Sequence, residues 1–181
     1  MRDARTLLAA AAQLYDDPAN GLQAAAHAAA WRGFTGGAAW MRRAMGVVRG
    51  TEPLGGSRFG WLGAAKYTCA IVVALLVLAV AWRVPALAVS LAVFAFYAIE
   101  ARMVFVFPLA LDGESAPFVA SHRLVARTLP CGLATTRVMR IACAMLFCGL
   151  CGRGFVRSWC RGCLAVVLWY EDARRVAAVP T

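Results

Sequence analysis

The sequence is poor in charge and contains almost no lysine. Only 15% of its 181 residues are charged, and Lys66 is the single lysine beside eighteen arginines. Soluble domains carry about a quarter charged residues, and disordered chains combine low hydrophobicity with high net charge. The scarcity of charge therefore excludes a disordered protein and argues against a soluble globule.

Apolar residues, in contrast, are abundant. They make up 62% of the chain, and the mean hydropathy is +0.67. A single small domain cannot bury this much apolar surface inside itself. We therefore predict an all-α integral membrane protein. The abundance of alanine and arginine is typical of a GC-rich genome, so we place it in a bacterial inner membrane, with an organellar inner membrane as the alternative.

Acidic residues are also few, nine against nineteen basic ones, which gives a formal net charge of +10. A basic surface can bind nucleic acid. Here the arginines are scattered rather than clustered with aromatic residues, and anionic lipid headgroups are a better partner for a chain this apolar. We expect membrane lipids and other membrane protein subunits as partners, and no nucleic acid.

Long uncharged runs predict a transmembrane hairpin over residues 59–111. A membrane-spanning helix needs about 20 apolar residues, and residues 60–82 meet that requirement with Lys66 near one end. Arg83 and Pro85 leave almost no loop, so the next run must return antiparallel. Lys66 stands seventeen residues before Arg83 and Glu100 seventeen after it. Equal distances from the turn place both at one depth, so we predict a Lys66–Glu100 ion pair, with a proton relay or a ligand counter-ion as the functional alternative.

A polar connector over 112–128 is predicted to lead into a second membrane hairpin over 129–172, followed by a tail over 173–181. The second hairpin has shorter uncharged runs, so it spans the membrane partly or wholly. Folding it at Gly154 places Arg137 opposite Glu171 and Asp172, and we predict structural ion pairs there, because unpaired charges in an apolar setting are costly.

Residues 1–58 are predicted to form a helical region at the membrane interface. Met41, Met45 and Val48 recur at helical spacing and define an apolar face, while arginines take the other side. The alternative is a helix packed on a soluble partner. Lipid or partner contacts are expected at Trp40, Arg42 and Arg43, and at the tip of the second hairpin from Arg153, Arg157 and Arg161.

Four cysteines form two CxxC pairs, a spacing used by zinc sites: Cys148, Cys151, Cys160 and Cys163. They lie in apolar helix rather than in a polar loop, where cysteine often serves as a small apolar residue. We predict no metal site, with zinc or a redox dithiol as the alternative. His27 stands among alanines, and ligation of a pigment or haem is the alternative to a solvated or packing histidine.

Common enzyme motifs are missing from the sequence. It contains no HExxH, no phosphate-binding loop, no GxGxxG and no GxSxG. We therefore predict no catalytic residues, and a non-catalytic accessory subunit of a larger membrane complex of respiratory or photosynthetic type. The rival hypothesis is a small membrane enzyme or redox protein that uses the four cysteines or the connector from Asp112 to His122.

Overall fold

The computed structural model describes residues 2–55 and 59–178, and every regular element in these ranges is helical. This confirms the predicted all-helical class. The helices are α1 (Ala4–Asp16), α2 (Leu22–Ala29), α3 (Gly33–Arg49), α4 (Phe59–Val80), α5 (Pro85–Arg102), α6 (Val106–Leu111), α7 (Pro117–Thr128), α8 (Cys131–Cys148) and α9 (Phe155–Ala177).

Local sequence signals set several of the helix ends. The side chain of Asp3 accepts a hydrogen bond from the backbone N–H of Thr6 and so caps the start of α1. Proline occupies the first turn of α5 and of α7, where its missing N–H removes no helical hydrogen bond. Gly50 ends α3 with a φ of 80°, a conformation that glycine adopts without steric cost.

α4 and α5 form an antiparallel hairpin that turns over residues 81–84. Within the described ranges, three helical segments are long and apolar enough to cross a membrane: Phe59–Val80, Pro85–Leu111 and Gly132–Gly152. The second of these bends between α5 and α6. The buried hydroxyl of Ser121 in α7 donates to the carbonyl of Arg102 and accepts from the N–H of Phe105, which satisfies backbone groups at the bend.

α9 is the central helix of the packed part of the molecule. Leu164, Val167 and Trp169 on it are fully buried, and α1, α8, α7 and α3 all pack around it. Phe105 lies edge-on to Trp169, with ring centroids 5.0 Å apart. A helix buried against so many neighbours forms the core of a helical head, from which the far end of the α4–α5 hairpin extends.

Within the described residues, the second predicted hairpin contains one span-length apolar segment, Gly132–Gly152. α8 and α9 do form a hairpin, and its turn contains Gly152 and Gly154 with φ of 81° and 85°. However, α9 is not among the span-length apolar segments, and it continues through the predicted tail to Ala177. Its apolar side packs on protein rather than facing lipid. The predicted polar connector likewise contains a full helix, α7.

The N-terminal region also differs from the expectation of an interfacial helix. Met41, Ala44 and Met45 on α3 are buried within the chain, as are Leu7 and Tyr15 on α1. α3 packs on this chain's own α9 and α4, so neither the membrane interface nor a soluble partner covers its buried apolar face. The sequence pattern does not separate packing on the same chain from these two cases, because each needs one apolar face.

Candidate functional site

The structure brings Lys66 of α4 and Glu100 of α5 together. Lys66 Nζ lies 2.8 Å from Glu100 Oε1, and only 3% of the Lys66 surface is exposed. The ammonium also lies 5.3 Å and 5.5 Å from the ring centroids of Tyr67 and Phe107. Such rings attract a cation through their π-electrons. The carboxylate and the two rings together offset the cost of burying the only lysine of the chain.

A cavity of about 720 Å³ opens beside this ion pair. Residues from α2, α3, α4, α5, α6, α8 and α9 form its wall, and most of them are apolar. Lys66 and Glu100 contribute its charged groups, and Tyr67, Tyr97 and Cys163 contribute weaker polar ones. Small-molecule sites commonly measure about 300–1,000 Å³ and combine apolar walls with few polar groups. The cavity has both properties.

The mouth of the cavity carries large apolar side chains that are partly exposed. Phe34 comes from α3, Leu146 from α8, and Phe155 and Trp159 from α9. The rings of Phe155 and Trp159 stack with centroids 5.8 Å apart. An apolar rim leading to a polar floor suits an elongated molecule with one polar end.

One atom on the cavity floor is left unsatisfied. Glu100 Oε2 is buried and has no hydrogen-bond partner among the described residues, whereas its sister oxygen holds Lys66. A buried acceptor without a partner costs about 1–3 kcal/mol. The floor can therefore accept one further hydrogen bond from a donor that enters the cavity.

A second charged cluster joins the ends of three segments. Arg49 at the end of α3 donates to Asp112 and to Glu171. The hydroxyl of Tyr170 donates to Asp112 Oδ2 at 2.7 Å, and Arg174 Nη1 lies 3.1 Å from the same oxygen. Burial raises the pKa of Asp112, but the hydrogen bonds from Arg49 and Tyr170 outweigh it, so the pKa lies below its ordinary value. This cluster ties α3 and α9 to the segment between α6 and α7.

The structure does not pair Arg137 with Glu171 or Asp172 as the sequence predicts. Glu171 binds Arg49 instead, and Asp172 binds the guanidinium of Arg2 at 2.7 Å. The Arg137 guanidinium lies over the ring of Trp169, 4.9 Å from its centroid. Arg49 and Arg2 both come from the N-terminal region, which the sequence predicts to be separate from the second hairpin.

Five of the six residues predicted to contact lipid or partners make contacts within this chain. Trp40 is buried and donates from Nε1 to the carbonyl of Leu22 at 3.1 Å, so it belongs to the core. Arg42 donates to the carbonyl of Gly55, and exposed Arg43 lies 3.6 Å from Glu52. Arg157 and Arg161 both bind Asp16 at the end of α1. The remaining member of the set, Arg153, follows Gly152 in the turn between α8 and α9.

The alternative sites are not assembled in the described ranges. No group of three or more His, Cys, Asp or Glu side chains there lies close enough to hold a metal ion. Burial raises the pKa of Cys160 and of Cys163 to about 12. Exposed His27 donates from Nδ1 to the carbonyl of Gln23.

The connector from Asp112 to His122 likewise shows no acid–base arrangement within the described part of the chain. Asp112 is occupied by Arg49, Tyr170 and Arg174, while His122 is exposed on α7. A general acid or base must lie within hydrogen-bond reach of the group it serves. The geometry therefore favours a structural role for Asp112.

Sequence reasoning missed the cavity, because seven helices build it. It also missed Arg49 and Tyr170, which meet Asp112 from chain positions 63 and 58 residues away. One signal was available. Leu164, Val167 and Leu168 recur at helical spacing in α9. This pattern indicates one apolar face on the helix, but not what covers it.

Comparisons with models of known families, with curated proteins and with solved structures found no match. What the chain shows by itself is an all-helical fold with three helical segments long and apolar enough to span a membrane. Its candidate site is an apolar cavity with the Lys66–Glu100 ion pair on the floor.

Proposed function

We propose that this chain is an integral membrane protein that acts without catalysis, as an accessory subunit whose apolar helices pack against partner helices and lipid. The observation that carries the proposal is the surface of the α4–α5 hairpin. On α4 the buried residues are Phe59, Gly63, Lys66 and Ala70, all in the half that meets the helical head.

Beyond Ala70 the hairpin exposes large apolar side chains along both helices. They are Ile71, Val72, Leu75, Leu76, Val80, Trp82, Val84, Leu87, Val89, Leu91, Val93 and Phe94. Water-exposed apolar patches of this extent are rare on soluble monomers, where they mark a protein or membrane contact. A bilayer together with neighbouring helices would cover them.

Features of the hairpin surface suit contact with other helices as well as with lipid. Ala86 and Ser90 are exposed one turn apart on α5, and small residues at this spacing allow helices to approach closely in membranes. The charged side chains, in contrast, mostly serve the chain's own fold: Arg2 holds Asp172, Arg49 holds Asp112 and Glu171, and Lys66 holds Glu100. This use of charge supports a structural rather than a catalytic role.

The test has two stages. Membranes from cells that naturally make the protein are first washed with sodium carbonate at high pH, and we expect an epitope-tagged chain to stay in the pellet. The membranes are then dissolved in digitonin and separated by native electrophoresis. We expect the chain in a particle larger than the one it forms when it is produced alone in a foreign host.

The foreign-host sample is the matched control, because it contains the same chain and detergent without the natural partners. Release by carbonate would contradict membrane insertion. Identical migration of the two samples would contradict the subunit role while leaving membrane insertion intact. The two parts of the proposal can therefore fail separately.

A further inference from the structure

We propose that the cavity beside Lys66 and Glu100 binds one molecule of a single-chain amphiphile, whose uncharged hydroxyl headgroup donates a hydrogen bond to Glu100 Oε2. The chain of this ligand lies along the apolar wall and leaves through the mouth between α3 and the α8–α9 hairpin. This site goes beyond the subunit role, and binding at it requires no partner protein.

The polar requirement of the ligand follows from the floor of the cavity. Glu100 Oε2 is a buried acceptor without a partner among the described residues, so the ligand must bring a donor. Lys66 and Glu100 already neutralise one another across 2.8 Å. A second cation would be repelled by Lys66 and a second anion by Glu100, and either would add an unpaired charge to an apolar site. A neutral hydroxyl supplies the donor for Glu100 Oε2 without adding a charge to the cavity.

The shape of the ligand follows from the wall and the mouth. A volume of about 720 Å³ lies within the range of about 300–1,000 Å³ typical of small-molecule sites. The rim of Phe34, Leu146, Phe155 and Trp159 is apolar and partly exposed. Any part of the ligand that touches this rim must itself be apolar. A single hydrocarbon chain with one polar end matches both the apolar wall and rim and the acceptor at Glu100 Oε2.

Gly37 provides a way to fill the cavity without disturbing the ion pair. It lies on α3, lines the cavity, and a Cβ placed on it meets no heavy atom within 4 Å. Gly37→Leu would therefore project apolar volume into open space, and leucine is a better helix former than glycine. Gly132→Leu is the matched control, since Gly132 is also an exposed helical glycine with open space around its Cβ and lies outside the cavity lining.

The experiment uses the purified full chain, stripped of lipid in detergent, and counts bound molecules by native mass spectrometry. The probes are monoolein, oleic acid and oleylamine, which share a hydrocarbon chain and differ in headgroup charge. We expect one monoolein per chain, bound about tenfold more tightly than either charged probe. Oleate brings no donor for Glu100 Oε2, and oleylammonium adds an unpaired charge beside Lys66. Gly37→Leu should weaken monoolein binding by about tenfold or more through loss of cavity volume, while Gly132→Leu keeps the wild-type affinity.

Three results would overturn the proposal. Wild-type chain that retains no monoolein would show that the cavity is not a site for this class. Equal retention by Gly37→Leu and wild type would place bound monoolein elsewhere on the apolar surface. Binding of oleic acid or oleylamine as tight as that of monoolein would show that Glu100 Oε2 does not select a neutral donor. None of these outcomes depends on whether the chain joins a larger complex.

Discussion

The Arg49 guanidinium and the Asp112 carboxylate lie face to face, with Nη1 2.5 Å from Oδ1 and Nη2 2.9 Å from Oδ2. Both side chains are more than four-fifths buried, at 16% and 19% exposure. Two parallel hydrogen bonds between ionised groups form the strongest common arrangement of this pair. Because Arg49 ends α3 and Asp112 follows α6, this contact fastens the N-terminal region to the rest of the fold.

We expect Asp112→Asn to destabilise the protein. The amide keeps the size of the side chain but lacks the negative charge of the carboxylate to which Arg49, Tyr170 and Arg174 donate. The expected loss is about 2 kcal/mol of unfolding free energy, the value typical of a hydrogen bond to a charged group. Denaturant unfolding of the detergent-solubilised chain, followed by circular dichroism, measures it.

Glu114→Gln is the control for this substitution. Glu114 lies two residues away and is exposed. Among the described residues it accepts a hydrogen bond only from the N–H of Ala116, which a glutamine oxygen can also accept. Its unfolding free energy should match that of the wild type. Equal stabilities for Asp112→Asn and Glu114→Gln would show that the Arg49 cluster contributes nothing to the fold.

The stability of the head should fall in acid. The hydrogen bonds of Asp112 with Arg49 and of Asp172 with Arg2 outweigh burial and hold the pKa of each carboxyl below its ordinary value of 3.8. A carboxyl with a lowered folded pKa stabilises the protein above the unfolded pKa, and this stability is lost as the pH falls through the folded one. The unfolding midpoint should therefore be level above about pH 5 and drop below about pH 4.

Asp112→Asn offers a check on the cause, because it removes one of the two titrating groups. We expect its unfolding midpoint to depend less on pH between about pH 4 and pH 2 than that of the wild type, while Glu114→Gln keeps the wild-type slope. An unchanged slope in Asp112→Asn would assign the acid sensitivity to other carboxyls.

Local patterns predict the first hairpin well. The short link around Arg83 forces two long apolar runs to lie antiparallel, and counting equal steps from it puts Lys66 and Glu100 at the same height. The Arg49 cluster and the Arg2–Asp172 pair could not be read in this way, because they join segments far apart in the chain. No periodicity shows which distant helix covers an apolar face, and for this reason the sequence predicts an interfacial helix at α3.

The Lys66–Glu100 pair should show a large coupling energy. Either Lys66→Met or Glu100→Gln alone leaves one charge buried without its partner, which costs about 3–5 kcal/mol. The double variant removes both charges. Its loss of unfolding free energy should therefore be smaller than the sum of the two single losses. A double-mutant cycle of unfolding free energies measures the difference.

Arg43 and Glu52 form the comparison pair. They lie 3.6 Å apart, but both side chains are about half exposed, at 54% and 51%. Solvent weakens such contacts, so the cycle for Arg43→Met and Glu52→Gln should give about 0–1 kcal/mol. A Lys66–Glu100 coupling as small as this would mean that water reaches the pair.

Membrane retention should be sensitive to charge on the exposed part of α4. Ile71 lies near the middle of this helix and is 49% exposed. An arginine at the centre of a membrane-spanning helix raises the free energy of insertion by about 3 kcal/mol. We therefore expect Ile71→Arg to lower the fraction of the chain that resists carbonate extraction.

Val119→Arg applies the same change outside the three span-length segments. Val119 lies on α7 and is also 49% exposed, so an arginine there stays in water and the carbonate-resistant fraction should match the wild type. If both variants are lost from the membrane to the same degree, general misfolding rather than the apolar hairpin explains the loss.

The packing of the N-terminal region on the hairpin can be tested at one glycine. A Cβ on Gly63 of α4 would lie 2.5 Å from Cδ1 of Phe34 on α3, and the Phe34 ring stacks on Tyr67 and Phe107. Gly63→Ala must therefore displace an aromatic ring that is held on two sides, and overpacking of this kind costs about 1–3 kcal/mol. Gly60→Ala, one turn earlier on the same helix, meets no atom within 4 Å and should be neutral or slightly stabilising. If the unfolding free energy changes equally in the two variants, Phe34 does not pack tightly against α4. α3 would then not be in close contact with the hairpin.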